Sequence, residues 1–316
     1  MPIVKSDIPD LLTAGLRAEF FSAYEKLGRE SIIPRVATVI QTTLPSQKYG
    51  WLGSVPTMRE FTDERLPGGL KQYSYTIEDK VWEASIGIDR RALEDDQYDM
   101  IRQRTRDLAL EAVRHQEQLV VDQLAKGAAQ TCYDGQYLID TDHAEGDSGT
   151  QSNKTTSALT QATLQDAISA MMQLKNDRGL PMRIIPDTLV IGPKLQWLAT
   201  ELLSSQVIVV NIGDGTSGSG ATAATNYANP IQGKLRLIVS HYLTGAYDDY
   251  WFVLDTSRSM RGVILQSRSD VPVEFAALDN PNGSEEMFMR DRLLYGVRAR
   301  YNVGYGLWQT VYGGIL

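Results

Sequence analysis

From Asp95 to Lys126 the chain runs without a glycine or a proline, far past the three or four turns of an ordinary helix. Leu110, Val113, Val120, Val121 and Leu124 fall near one stripe of that run, so one side is built for burial. Asp95 and Asp96 stand at its start, where the helix dipole favours negative charge. At about 1.5 Å per residue the helix would be on the order of 45 Å long. A rod of that length braces a broad, flat molecule, and the remaining elements have to be laid along it.

Upstream, Ser6-Asp7-Ile8-Pro9 caps a helix expected to reach Leu27, with Leu11, Leu12, Leu16, Phe20 and Tyr24 on one face; Gly28 and Pro34 are expected to end it. From Val36 to about Arg90 the pattern turns extended. Arg35 to Ile40 is rich in β-branched residues and Tyr73 to Ile77 alternates in period two, with a turn at Leu66-Pro67-Gly68-Gly69. This stretch carries Tyr49, Trp51, Phe61, Tyr73, Tyr75 and Trp82. A two-stranded hairpin has no core in which to bury six rings. Either it folds back on its own domain or something else covers it.

Downstream of Gly127 an irregular region leads to a helix from about Thr163 to Lys175, with Leu164, Ile168, Met171 and Met172 facing inward. A short strand at Asp187 to Gly192 is followed by Pro193, where a helix through Leu195, Leu198 and Leu202 begins. Further strands are expected at Val207 to Asn211, Leu235 to Ser240, Trp251 to Leu254 and Val271 to Ala276. The alternation favours a mixed α and β domain. Gly213 to Gly220 reads as a soft linker. Near the end, Val297, Ala299, Tyr301 and Val303 alternate with Arg298, Arg300 and Asn302, so the terminus is a structural strand.

Thirty-one basic residues against thirty-nine acidic ones leave a net charge of -8, the wrong sign for holding nucleic acid by neutralising phosphates. Cys132 is the only cysteine, so no disulfide forms within the chain, which fits a reducing cytoplasm. No apolar run approaches the roughly 18 residues that span a membrane, and the start MPIVKSDIPDLL has no signal-peptide core. No fixed-period repeat is present.

Catalytic readings find little support. Cys132, His143, Asp140 and Asp142 invite a thiol or metal hypothesis, but a second Cys or His pair of zinc spacing is missing. The better reading is a turn at Asp134-Gly135 with Tyr133 and Tyr137 packed beside it. Ser240 and His241 are neighbours in a strand and point to opposite faces, and His115 lies mid-helix. The 213–220 glycines lack the Lys of a phosphate-binding loop. The acid pairs Asp63-Glu64, Asp95-Asp96, Asp248-Asp249 and Glu285-Glu286 read as caps, salt-bridge partners or solvated faces. No catalytic residue, cofactor or metal ligand is assigned.

Four stretches carry a family resemblance: Lys48 to Phe61 (KYGWLGSVPTMREF), Glu94 to Gln97, Thr131 to His143 (TCYDGQYLIDTDH) and Tyr295 to Gly314 (YGVRARYNVGYGLWQTVYGG). Together they resemble the major head subunit of Mu-like tailed bacteriophages, whose shells use the HK97-type fold. The resemblance implies an α+β architecture with an N-terminal arm (1–40), an extended β-hairpin loop (41–92), a peripheral domain with the long spine helix (93–150), a second, axial mixed α/β domain (151–262) and a return to the peripheral domain (263–316).

It also implies a structural major capsid protein and no enzyme: a virion subunit, assembled in the host bacterial cytoplasm through hexamers and pentamers into an icosahedral head around double-stranded DNA. The implied partners are identical subunits, a separate scaffold with an associated protease, a portal and a decoration protein; the short stretch before the arm leaves no room for a built-in scaffold. The strand-rich arm reaches a neighbouring subunit, so Tyr49, Trp51, Phe61, Asp63, Glu64, Arg65, Tyr73, Tyr75 and Trp82 are the expected contact residues, locked without a covalent bond. The alternative is another polymerising virion subunit, such as a tail-tube protein.

Overall fold

The computed structural model describes residues 8–52, 72–89, 91, 98–212, 223–270, 273–278 and 285–316. In chain order the strands are Ala37–Thr42 (β1), Ser46–Leu52 (β2), Gln72–Glu78 (β3), Lys80–Asp89 (β4), His143–Ala144 (β5), Thr150–Gln151 (β6), Lys154–Thr155 (β7), Thr188–Ile191 (β8), Val207–Ile212 (β9), Ala223–Ala228 (β10), Arg236–Val239 (β11), Trp251–Leu254 (β12), Val263–Arg268 (β13), Glu274–Leu278 (β14), Arg292–Tyr305 (β15) and Val311–Gly314 (β16). They belong to two units, one drawn from 1–49, 74–123 and 263–304, the other from 50–73, 124–262 and 305–316.

The first unit is a sheet in the order β1-β13-β15-β14, with β4 also on β15. Helices Ile8–Glu30 and Tyr98–Ala125 belong with it. The long helix is thus present, about 42 Å by its rise; Asp95 and Asp96 lie outside the described residues. Leu16 and Phe20 of the first helix, Ile101, Leu108 and Ala109 of the long one, and Phe275, Leu293, Tyr295 and Val297 of the sheet form one core. Phe20 and Phe275 lie 5.4 Å apart and Phe275 stacks on Tyr295. Each such side chain contributes on the order of 2 kcal/mol by leaving water.

The first helix does not stop at Gly28. It continues to Glu30, and Pro34 stands in the first turn of a second short helix, Ile33–Val36, rather than ending the first. Proline is tolerated there because its missing N–H has no helical partner to lose. The Ile32 N–H donates to Glu117 Oε1 at 3.0 Å, tying this corner to the long helix.

Two strands of the first unit depart from expectation. β1 begins at Ala37, since Arg35 and Val36 complete the short helix. The sequence reading placed no strand at Val263–Arg268, yet β13 is buried almost throughout and pairs in parallel with β1 from Ala37↔Val263. Its polar Gln266 and Arg268 hid it from a hydrophobic pattern.

The second unit is a sheet in the order β11-β8-β12-β16-β7, with two-stranded ribbons β9-β10 and β5-β6. β8 and β11 are parallel; β12 runs antiparallel to both β8 and β16. All four residues of β8 and of β12 are buried. Helix Gln161–Gln173 carries a capping box in which Thr160 and Thr163 exchange hydrogen bonds. Leu164, Ala167 and Met171 face inward, but Met172 is 57% exposed. Consecutive helical residues are about 100° apart, so only one of the two methionines reaches the core.

The expected return of 263–316 to the long-helix unit is divided. Residues 263–304 belong there, whereas β16 joins β12 and β7 in the other sheet. No described helix is long and apolar enough to cross a membrane.

Gly192 sits between β8 and the helix Gln196–Ser204, and a Cβ there would strike the backbone carbonyl of Leu243. Backbone cannot swing aside as a side chain can. Gly192→Ala is therefore expected to destabilise the chain by roughly 1–3 kcal/mol, read as a lower urea midpoint with an unchanged slope.

Candidate inter-subunit surface

Strands β2 and β3 pair with each other and with no other described strand. Their base is anchored in the first unit. Asp79, between β3 and β4, donates its N–H to Pro45 O at 2.9 Å, and its carboxylate meets Arg300 at 2.7 Å and Arg268 at 3.7 Å. Arg268, 8% exposed, also forks onto Asp270 and holds that carboxyl down at about 2 through the hydrogen bond between them. Gly304 completes the anchor: a Cβ there would collide with Ile77 and Tyr75, so the bare backbone lets β3 side chains seat on β15.

The predicted contact residues fall into three groups. Phe61, Asp63, Glu64 and Arg65 lie outside the described residues, and Trp51 and Tyr73 are placed by their backbones on β2 and β3. Tyr75 is half-buried on β3. Tyr49 differs from the expectation of cover by a neighbour: it is 9% exposed within its own chain. Its hydroxyl donates to Gln266 Oε1 at 2.8 Å, and burial pushes its pKa up to about 12.

Trp82, on β4, is also partly covered by its own chain. Its indole N–H donates to Tyr301 O at 2.9 Å, and its ring lies 4.3 Å from that of His115. His115 Nδ1 and the Tyr301 hydroxyl are 2.7 Å apart.

The candidate reactive residues do come together, though with a different acid. His143 Nδ1 donates to Asp134 Oδ2 at 2.6 Å, and the Cys132 thiol donates to Asp134 Oδ1 at 2.8 Å. These ligand-type atoms lie within 4.8 Å of one another. Asp140 instead accepts from Thr141 N, and Asp142 is exposed. The missed residue had a signal, the turn: Asp134 accepts from Gln136 N at 3.1 Å, as an aspartate opening a turn does.

Burial first, and the neighbouring Asp134 second, push the Cys132 thiol far above its ordinary pKa. Burial works against the Asp134 carboxylate, but the hydrogen bonds from His143 and Cys132 outweigh it and leave its pKa lowered. A thiol held protonated is a poor nucleophile. The cluster acts as a brace.

Beside it, Glu145 Oε1 accepts from Tyr133 OH, from Trp308 Nε1 at 2.7 Å and from Gln309 Nε2 at 3.0 Å, all buried. Trp308 stacks on His143 with centroids 3.9 Å apart. Sequence reading passed over Glu145, because its partners arrive from the far end of the chain. The remaining acid pairs within the described residues are structural. Asp249 binds Lys194 at 2.7 Å, and Glu286 binds Arg290 within helix Glu285–Arg290. Ser240 is buried while His241 is exposed, so they form no pair.

The long helix with its sheet, the second mixed unit and the hairpin anchored by ion pairs recur in known proteins. A "Virus-like particle from Pyrococcus furiosus" matches with TM-score 0.55 at 12% identity, over 95% of this chain and 97% of that one. The procapsid protein of bacteriophage JBD30 matches with TM-score 0.54 at 24% identity, over 99% of this chain and 76% of that one. These show the HK97-type shell fold.

The model of the family described as "Mu-like prophage major head subunit gpT" matches residues 10–158, 151–243 and 231–314. A major head subunit of the Mu-like prophage FluMu of Haemophilus influenzae is 26% identical over 99% of this chain and 74% of its own length. The major capsid protein of Escherichia phage Mu is 31% identical over 34% of this chain and 36% of its own length. The chain belongs to the Mu-like prophage major head subunit family. It is a head subunit, and the tail-tube alternative is set aside.

Two outcomes test the buried network. Glu145→Ala strands the buried Trp308 and Gln309 donors at roughly 1–3 kcal/mol each, while Tyr133 keeps Gln309 Oε1, so a loss of about 2 kcal/mol or more is expected by denaturant titration. Cys132 in the folded protein should stay unreactive to a chromogenic disulfide between pH 7 and 9 and react at once in urea; prompt reaction of the native chain would contradict the brace.

Proposed function

We propose that copies of this chain assemble through hexamers and pentamers into an icosahedral head around double-stranded DNA, within the host bacterial cytoplasm, and that the chain itself turns over no substrate. The observation that supports this most is the β2-β3 ribbon, anchored at its base by Asp79, Arg268 and Arg300 yet paired with no further described strand. A ribbon of two strands is at best marginally stable in water. Cover from a second copy would make it part of a larger sheet or core.

In this reading Trp51, Phe61, Tyr73 and Tyr75 supply buried area, at about 25 cal/mol per Å², while Asp63, Glu64 and Arg65 set register. Tyr49 serves from within, holding the hairpin base against Gln266. The unit with the long helix is the peripheral domain and the other unit the axial one, with 305–316 belonging to the latter. The acidic balance of -8 suits a wall that lets packed DNA slide. A separate scaffold with its protease and a portal complete the assembly. The JBD30 capsid is described as decorated with minor capsid protein trimers, and a decoration protein is proposed here too.

The experiment is deletion of Asp63 to Lys71. Soluble, folded chains that yield no stable heads in electron micrographs are expected. Normal, stable heads from the deletion would refute the arm as the locking element.

A further inference from the structure

In the first unit, β4, β15 and the long helix line a small, half-open cavity of about 100 Å³. Trp82, His115 and Tyr301 line it, and Glu83 and Glu111 stand in its wall. It has room for one long side chain and not for a strand or a helix.

The chemistry of its wall narrows the guest. The Trp82 N–H is on Tyr301 O, and the Tyr301 hydroxyl shares one hydrogen bond with His115 Nδ1. Burial lowers the His115 pKa, against the pull of Glu111, so the imidazole brings no charge of its own. Beside that pair the wall offers ring surface and two carboxylates. Among the described residues neither Glu83 nor Glu111 has a cationic partner within salt-bridge distance; Glu83 accepts only from Ser85 Oγ. An anionic guest would be repelled. A purely apolar one would gain nothing from the two carboxylates. A Lys or Arg side chain meets every term: an aliphatic stem for the apolar wall, a cation for the indole face and a charge for the two glutamates.

We propose that this cavity receives a Lys or Arg side chain from a second copy of the chain, making Trp82, Glu83 and Glu111 the socket of an inter-subunit contact. The inference rests on the shell-subunit reading above, since that reading supplies the second copy. Charge complementarity selects a cation, and the cavity's size selects a single side chain.

The test uses the double substitution Glu83→Gln with Glu111→Gln, which keeps size and polarity at two exposed positions and leaves the Trp82, His115 and Tyr301 packing intact. Wild-type and variant chains are produced together with the assembly helpers, and the shells are measured by sedimentation. The expected result is about a tenfold drop in the assembled fraction, with the melting temperature of the isolated subunit unchanged. Variant shells as abundant as the wild type would overturn the socket while leaving the shell reading intact. No shells from the wild type would instead overturn the shell reading. A high-resolution map of the wild-type shell is the second readout: a Lys or Arg of another copy in the cavity supports the proposal, and an empty cavity, or one filled from the same chain, refutes it.

Discussion

One strand holds the first unit together. β15 pairs with β4 over ten residues, from Arg292↔Asp89 to Tyr301↔Lys80, and with β14 over five on its other edge. Its period-two alternation then does three jobs in sequence. Leu293, Tyr295 and Val297 enter the core with the two helices; Ala299 and Tyr301 line the Trp82 cavity; Arg300 reaches Asp79, and Gly304 admits Ile77. A register slip by one residue would turn each of these to the wrong face. The core, the cavity and the hairpin base are therefore set by one ladder, and none can shift alone.

The polar interior of this chain is structural. In the second unit, Asp134 gathers His143, Cys132 and Gln136, and Glu145 gathers Tyr133, Trp308 and Gln309. Cys, His and carboxylate in close contact look like chemistry on paper. Burial first, and then the negative carboxylate beside it, raise the thiol pKa and keep the thiol protonated. Such networks fix one arrangement of loops that a greasy core would leave free, since every mispaired alternative leaves a buried donor without an acceptor.

Ion pairs serve the hairpin in the same way. Asp79, Arg268 and Arg300 are mostly shielded from water at the junction of β3 and β4 with the sheet. Broken singly, such a cluster leaves charge uncompensated in a low-dielectric setting. The base of the ribbon is thereby held to the sheet of the first unit.

Local order was written in the sequence. The uninterrupted run to Lys126 marked the long helix, the spacing of Leu164, Ile168 and Met171 a second one, Trp251 to Leu254 a buried strand, and the alternation through Tyr301 the closing strand. These depend on residues within a few positions of one another, so periodicity and capping reveal them. Strand β13, the Glu145 hub, the Asp79 cluster and the internal cover of Tyr49 were invisible to that reading. Each joins residues more than a hundred positions apart, and a buried Gln266 or Arg268 reads as a surface residue until the partner that satisfies it is brought alongside. Period and propensity act along the chain, whereas the pairing of buried charge and hydrogen bonds is settled only when distant strands meet in one register.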